Sequence, residues 1–103
     1  MADNEQVSRE ELLREEFHKQ TARIHWHELQ TYYAHGSVIR VGEALDLVEV
    51  AVQLGMDNTE QFQAWIEQGA IAPVSDSDAR LWFDGNPGLW TVVAAPWVLV
   101  QHK

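Results

Sequence analysis

Apolar positions recur along this chain with two periods, and the change from one to the other outlines its elements. Leu29, Tyr32 and Tyr33 stand three or four apart ahead of Gly36, with Val38 and Val41 beyond it; the same arrangement returns thirty-three residues later as Phe62, Trp65, Ile66, Gly69, Ile71 and Val74. Each copy predicts a helix, a stop in which glycine takes a left-handed conformation, and a strand favoured by β-branched residues. Helices are therefore expected over about Trp26–Ala34 and from a cap at Asn58 or Thr59 to Gly69, with strands at Ser37–Val41 and Ala70–Val74.

The remaining segments fit around this pair. Residues 1–7 are polar and expected to be disordered, and Ser8 with Glu11 has the spacing of a capping box that would start a helix at Arg9. Leu13, Phe17 and Ile24 give that helix a narrow apolar stripe, so it reads as an arm lying across the domain surface. Asp46 with Glu49 can cap a helix burying Leu47, Val48, Ala51, Val52 and Leu54, although the alternation from Leu45 to Val50 also permits a strand; helix is preferred. Ser75 and Asp78 predict a further short helix through Ala79, Leu81, Trp82 and Phe83, followed by a loop over Asp84, Gly85, Asn86, Pro87 and Gly88.

Leu89 to Gln101 is almost continuously apolar, which implies cover on both faces, yet Pro96 cannot donate a ladder hydrogen bond. A strand bent at Pro96, with halves at Trp90–Ala94 and Trp97–Val100, reconciles the two. The expected architecture is one α+β domain over residues 8–103, winged-helix-like. It has a three-stranded sheet (Ser37–Val41, Ala70–Val74, Trp90–Val100), helices packed over one face and an N-terminal helical arm.

Composition narrows the function more than the fold. A length of 103 residues with 46% apolar side chains and five tryptophans suits one core. Sixteen acidic against seven basic residues give a formal charge of −9, which repels polyphosphate and anionic lipid and disfavours nucleic acid as a partner. Most of that charge lies late in the chain: from Val41 to His102 the only Lys or Arg is Arg80. Cysteine is absent and the first residues lack the basic then apolar pattern of a signal peptide, so a cytoplasmic protein is expected. The apolar run Val92–Val100 is about half the ~20 residues that a membrane helix needs, and reads as core.

Four groupings could carry chemistry or binding. The stretch from Glu49 through Gly55 and Asp57 to Phe62, Trp65 and Gly69 resembles a helix-turn-helix of the MerR and excisionase kind, with a turn one residue longer than usual. Its second helix offers Glu60 and Glu67 and no base to meet phosphates, so scaffold is the preferred reading. His25, His27 and Glu28 could bind a divalent metal or move protons. Residues two apart point to different sides of a helix, however, and solvated histidines at a helix boundary explain the grouping more simply. Asp46 and Glu49 could act as a carboxylate pair, but capping accounts for both. Five tryptophans exceed what a small core encloses, so Trp82 and Trp90, flanking the Asp84–Gly88 loop, are candidates for an exposed contact patch with Asp76, Asp78, Asp84, Glu60 and Glu67.

The segments Thr21–Gln30, Leu45–Ala51, Val74–Asp76 and above all Ala95–Gln101 resemble a family of small bacterial proteins catalogued as domain of unknown function 2288. The resemblance covers nearly the whole chain after the acidic arm and implies a stand-alone cytoplasmic protein, with no assigned activity, cofactor or catalytic residue to carry over. The function expected is a non-enzymatic protein-binding or regulatory accessory, with no cofactor or metal, that docks a basic protein partner through its acidic later half. The two rivals are a winged-helix nucleic-acid regulator using Arg9, Arg14, Lys19 and Arg23, and a small metal protein or enzyme built on His25, His27 and Glu28.

Overall fold

The computed structural model describes residues 2–103, with side chains from Arg9 onward; the expected disordered segment 1–7 falls outside the fully described residues. In chain order the elements are α1 (Ala2–Gln20), β1 (Ala22–His25), α2 (Trp26–Ala34), β2 (Val38–Val41), α3 (Leu47–Gly55), α4 (Thr59–Glu67), β3 (Ile71–Pro73), α5 (Asp76–Gly85), β4 (Gly88–Ala94) and β5 (Trp97–Gln101). The local signals act as their chemistry requires. The Asp46 carboxylate accepts from the amides of Val48 and Glu49, which settles residues 47–55 as helix. The Asn58 side chain accepts from Gln61 N–H at 3.2 Å and the Ser75 hydroxyl from Asp78 N–H at 3.1 Å, capping α4 and α5. Gly36 and Gly69 both sit at φ +73°, the left-handed stop expected after each helix of the repeat. Ser8 falls inside α1 and does not open it.

The strands form one sheet in the order β1-β4-β5-β2-β3, with β5 and β2 parallel and the other pairs antiparallel. Five strands replace the three expected, for two reasons. Residues 88–101 are a hairpin, not a bent strand: the chain reverses at Ala95 and Pro96, and Val92 pairs with Leu99. Pro96 sits in the turn, where its missing N–H breaks no ladder bond. In addition, Ala22–His25 pairs with Thr91–Gly88 as an edge strand, so Ile24 belongs to the sheet and not to the arm. The helix-turn-helix order α3–α4 is present, set against this mixed five-stranded sheet.

Helices cover both faces, where one was expected. On one side Ile39, Val41, Ile71, Val92, Ala94 and Leu99 pack against Leu47, Val50 and Ala51 of α3, with Phe17 of α1 and Phe62 and Trp65 of α4 at the margin. On the other, Val38, Leu89, Val98 and Val100 meet Trp26 and Leu29 of α2 and Trp82 of α5. The alternation along β5 sends Val98 and Val100 one way and Leu99 the other, so the continuous apolar run serves two cores. The two copies of the repeat accordingly use opposite faces, α2 on one and α4 on the other.

The arm is docked. A Cβ at Gly55 would lie 3.2 Å from Leu13 and 3.3 Å from Phe17, so glycine lets α1 seat on the end of α3. Arg14 of α1 donates to Glu49 of α3 at 2.8 Å and to Glu10 at 3.2 Å.

Candidate functional site

The carboxylates and tryptophans singled out in the sequence do not form one patch. Glu60 and Glu67 stand on the outer face of α4, in the α1–α3–α4 layer, while Asp76, Asp78 and Asp84 belong to α5 on the far side of the sheet. Trp82 is 6% exposed and packs edge-to-face on Trp26 at 5.2 Å, so it is core. It shares the inward stripe of α5 with Ala79, and the exposed apolar side chains there are its neighbours Leu81 and Phe83. Trp90 is exposed as expected, but on the opposite face, where the Arg23 guanidinium lies 5.2 Å over its ring.

Two of the three α5 carboxylates are structural fasteners. Asp76 accepts from the Tyr33 hydroxyl at 2.6 Å, which raises the phenol's pKa by holding its proton, and so ties α5 to α2. Asp78 accepts from Arg40 of β2 at 2.6 Å. Asp84 is exposed with no ion pair among the described residues.

The histidines are separated by the elements that carry them. His25 closes β1 and His27 lies in the first turn of α2, where its Nε2 lies 2.8 Å from the Phe83 carbonyl and its ring 5.0 Å from the Phe83 ring. His27 thus helps to fasten α2 to α5. Among the described residues no three His, Asp or Glu side chains converge as ligands.

One cleft and one pair of hollows draw their walls from more than one element. The larger, about 530 Å³, is a shallow polar cleft walled by Trp90, Glu43, Asp46, Leu47 and Lys103, with Gln101 at its base. Gln101 is only 3% exposed and donates from Nε2 to the carbonyls of Gly42 at 2.9 Å and Leu45 at 2.7 Å, pinning the loop that leads into α3.

The second is a pair of adjoining hollows beside α4. One, about 270 Å³, lies between the α3–α4 turn (Asp57, Asn58, Thr59) and the β4–β5 turn (Ala95, Pro96). The other, about 250 Å³, runs over Ile39, Ile71 and Pro73 towards Ile66, which is 42% exposed. Phe62 and Trp97 line both. Going round α4 at about 100° per residue, Phe62 and Ile66 are followed by Thr59, Gln63, Glu67 and Glu60, so the two glutamates lie on the outer face, where with Thr59, Gln63 and Ala64 they line a separate, shallow concavity of about 480 Å³. Asp57, Glu60 and Glu67 have no ion-pair partner among the described residues. The acids are legible in the sequence but the floor is not, because Phe62, Ile66 and Trp97 read as core. Ile66, placed on the α4 flank beside Thr59 and Gln63, was the one local signal of an open side.

Comparison with known proteins places the chain without naming an activity. Among curated proteins none matches. The solution NMR structure of PA1075 from Pseudomonas aeruginosa is similar over 84% of this chain and 81% of that one, with 41% sequence identity and a TM-score of 0.76. Residues 12–102 match the family described as Protein of unknown function (DUF2288). With that match spanning both cores and the docked end of the arm, the chain belongs to the DUF2288 family.

Proposed function

We propose that this protein is a non-enzymatic accessory that docks a basic protein partner through the side of the molecule bearing α4. The observation that carries this reading is an open apolar floor (Phe62, Ile66, Trp97) with Asp57 beside it and Glu60 and Glu67 on the neighbouring outer face of α4, three carboxylates that no cation of the described chain neutralises. Apolar contact supplies affinity once water is displaced, and unpaired surface charge selects the sign of the partner and speeds encounter. The test is affinity capture from native cytosol on the wild-type chain and on a Glu60→Lys, Glu67→Lys variant. A stoichiometric companion retained at low salt, released at high salt and lost with the variant is expected; equal capture by both chains would refute the reading.

The helix-turn-helix order of α3 and α4 supports a second reading, a nucleic-acid regulator of winged-helix type. The helix that would enter the groove carries Glu60 and Glu67 and no base, and Arg14 of the arm is engaged by Glu10 and Glu49. Salt-sensitive retardation of DNA in a low-salt gel shift would favour it over protein docking.

A further inference from the structure

We infer that the paired hollows beside α4 seat an extended segment of that partner, with an apolar side chain against Phe62 and Trp97 and lysine or arginine of the same segment reaching Asp57 at the rim and Glu60 and Glu67 on the outer face of α4. This rests on the docking reading above and states the form the partner takes.

Shape is the first argument. Each hollow is smaller than the roughly 300–1,000 Å³ of a small-molecule pocket, at about 270 and 250 Å³, and the two share Phe62 and Trp97 as lining. Two small hollows side by side along α4 suit a chain with side chains at intervals better than one compact ligand.

The second argument is the sheet edge beside the trough. Val74 N–H donates to the Val38 carbonyl and Gly42 N–H to the Ala70 carbonyl, with Ala72 opposite Arg40. Antiparallel pairs alternate between bonded and non-bonded positions, so the main-chain groups of residues 70, 72 and 74 face β2 and those of Ile71 and Pro73 face outward. Pro73 has no N–H, which leaves the Ile71 N–H and C=O and the Pro73 C=O to an incoming strand. An extended segment therefore gains a short main-chain anchor at Ile71. A long edge-to-edge pairing, as between two copies of this chain, is prevented by the proline.

Charge selects among occupants. A second copy would bring its own Glu60 and Glu67 and a formal charge of −9 to the same trough, and nucleic acid or anionic lipid would be repelled. Arg80, the one base between Val41 and His102, lies on α5 across the sheet, so cations must arrive with the segment.

The test uses the full chain and an array of short synthetic peptides. Each carries one Leu, Ile or Phe flanked by Lys or Arg, with matched sets in which the anchor is Ala or the bases are Glu. Binding is read by fluorescence anisotropy at low and high salt, and the site by amide NMR shifts. Members with both features are expected to bind, shifting Ile71, Phe62 and Trp97. Ile66→Glu, at an exposed position that leaves the core intact, should weaken binding at least tenfold. Glu60→Lys with Glu67→Lys should do the same and turn the preference towards the Glu set, while Asp84→Lys on the opposite face should change nothing. Binding that responds to the charge variant but not to Ile66→Glu would overturn the trough while leaving acidic docking in place. No binding by any peptide would also overturn it, and the capture experiment alone would then decide the docking reading.

Discussion

Gln101 is the polar group whose replacement should separate charge from packing most clearly. Its side chain is almost fully enclosed and spends both Nε2 protons on main-chain carbonyls, those of Gly42 and Leu45. Gln101→Glu keeps the shape and removes both donors, since an ionised carboxylate can only accept. Its oxygens would face two carbonyl oxygens, with Glu43 and Asp46 on the same cleft. Burial and like charge both raise a carboxyl's pKa, and an uncompensated buried charge costs the folded state on the order of 3–4 kcal/mol at pH 7. For a domain of this size that lowers Tm by roughly 12–30 °C. The sign follows from linkage: a folded pKa above the unfolded value of about 4.3 gives a penalty absent below that pH and growing as pH rises towards the folded value. Gln101→Leu, without charge, deprives the Leu45 carbonyl of its donor, while the Gly42 carbonyl still receives Leu45 N–H at 3.1 Å. That costs roughly 1–3 kcal/mol, independent of pH. Melting curves of the three proteins between pH 4 and 8 check this. A Gln101→Glu protein that melts with the wild type at pH 7, or whose deficit does not change with pH, would refute the clamp.

Removing residues 97–103 takes out β5, the strand that joins β4 to β2, so the truncated chain should show no cooperative melting transition; an unchanged transition would contradict the sheet order. The Arg14 hydrogen bond holds the Glu49 carboxyl below its ordinary value of 4.5, so its contribution to docking α1 is present above that pH and disappears as pH falls through the lowered value. Glu49→Gln should therefore cost up to about 1 kcal/mol at neutral pH, a surface pair's worth, and the gap between the two melting curves should close in acid. Gly69→Ala meets no neighbour within 4 Å but must hold φ +73°, so a loss of about 1–2 kcal/mol in denaturant unfolding is expected from backbone strain alone; a neutral substitution would show that α4 ends differently.

What could be read in the sequence was local. The caps at Asp46, Asn58 and Ser75, the left-handed glycines at 36 and 69 and the span of α2 each depend on a few neighbouring residues, and each stands where its chemistry placed it. The misses were relations across the chain. β1 has one inward side chain of note, Ile24, between the exposed Arg23 and His25, so four residues carried no period to detect. The apolar run after Leu89 signalled two covered faces, but not which helix takes which. Trp82, next to a loop in sequence, is therefore a candidate for exposure until α5 turns it onto Trp26. The same blindness hid the trough: Phe62 on α4 and Trp97 on β5 become neighbours only once the hairpin turns at Pro96.

A sheet greasy on both sides carries a cost that Arg40 and Gln101 remove. Where one face is wet, slipping a strand by one residue exposes its apolar set and is forbidden at once; in β2 and β5, with apolar side chains alternating to either core, a slip exchanges one aliphatic residue for another and is penalised far less. The exceptions are Arg40, which must emerge on the α5 side to meet Asp78, and Gln101, which must point to the other layer to reach Gly42 and Leu45. Arg40 stands opposite Val100 across the parallel pair, so these two polar side chains serve as the alignment marks by which otherwise interchangeable strands find one pairing.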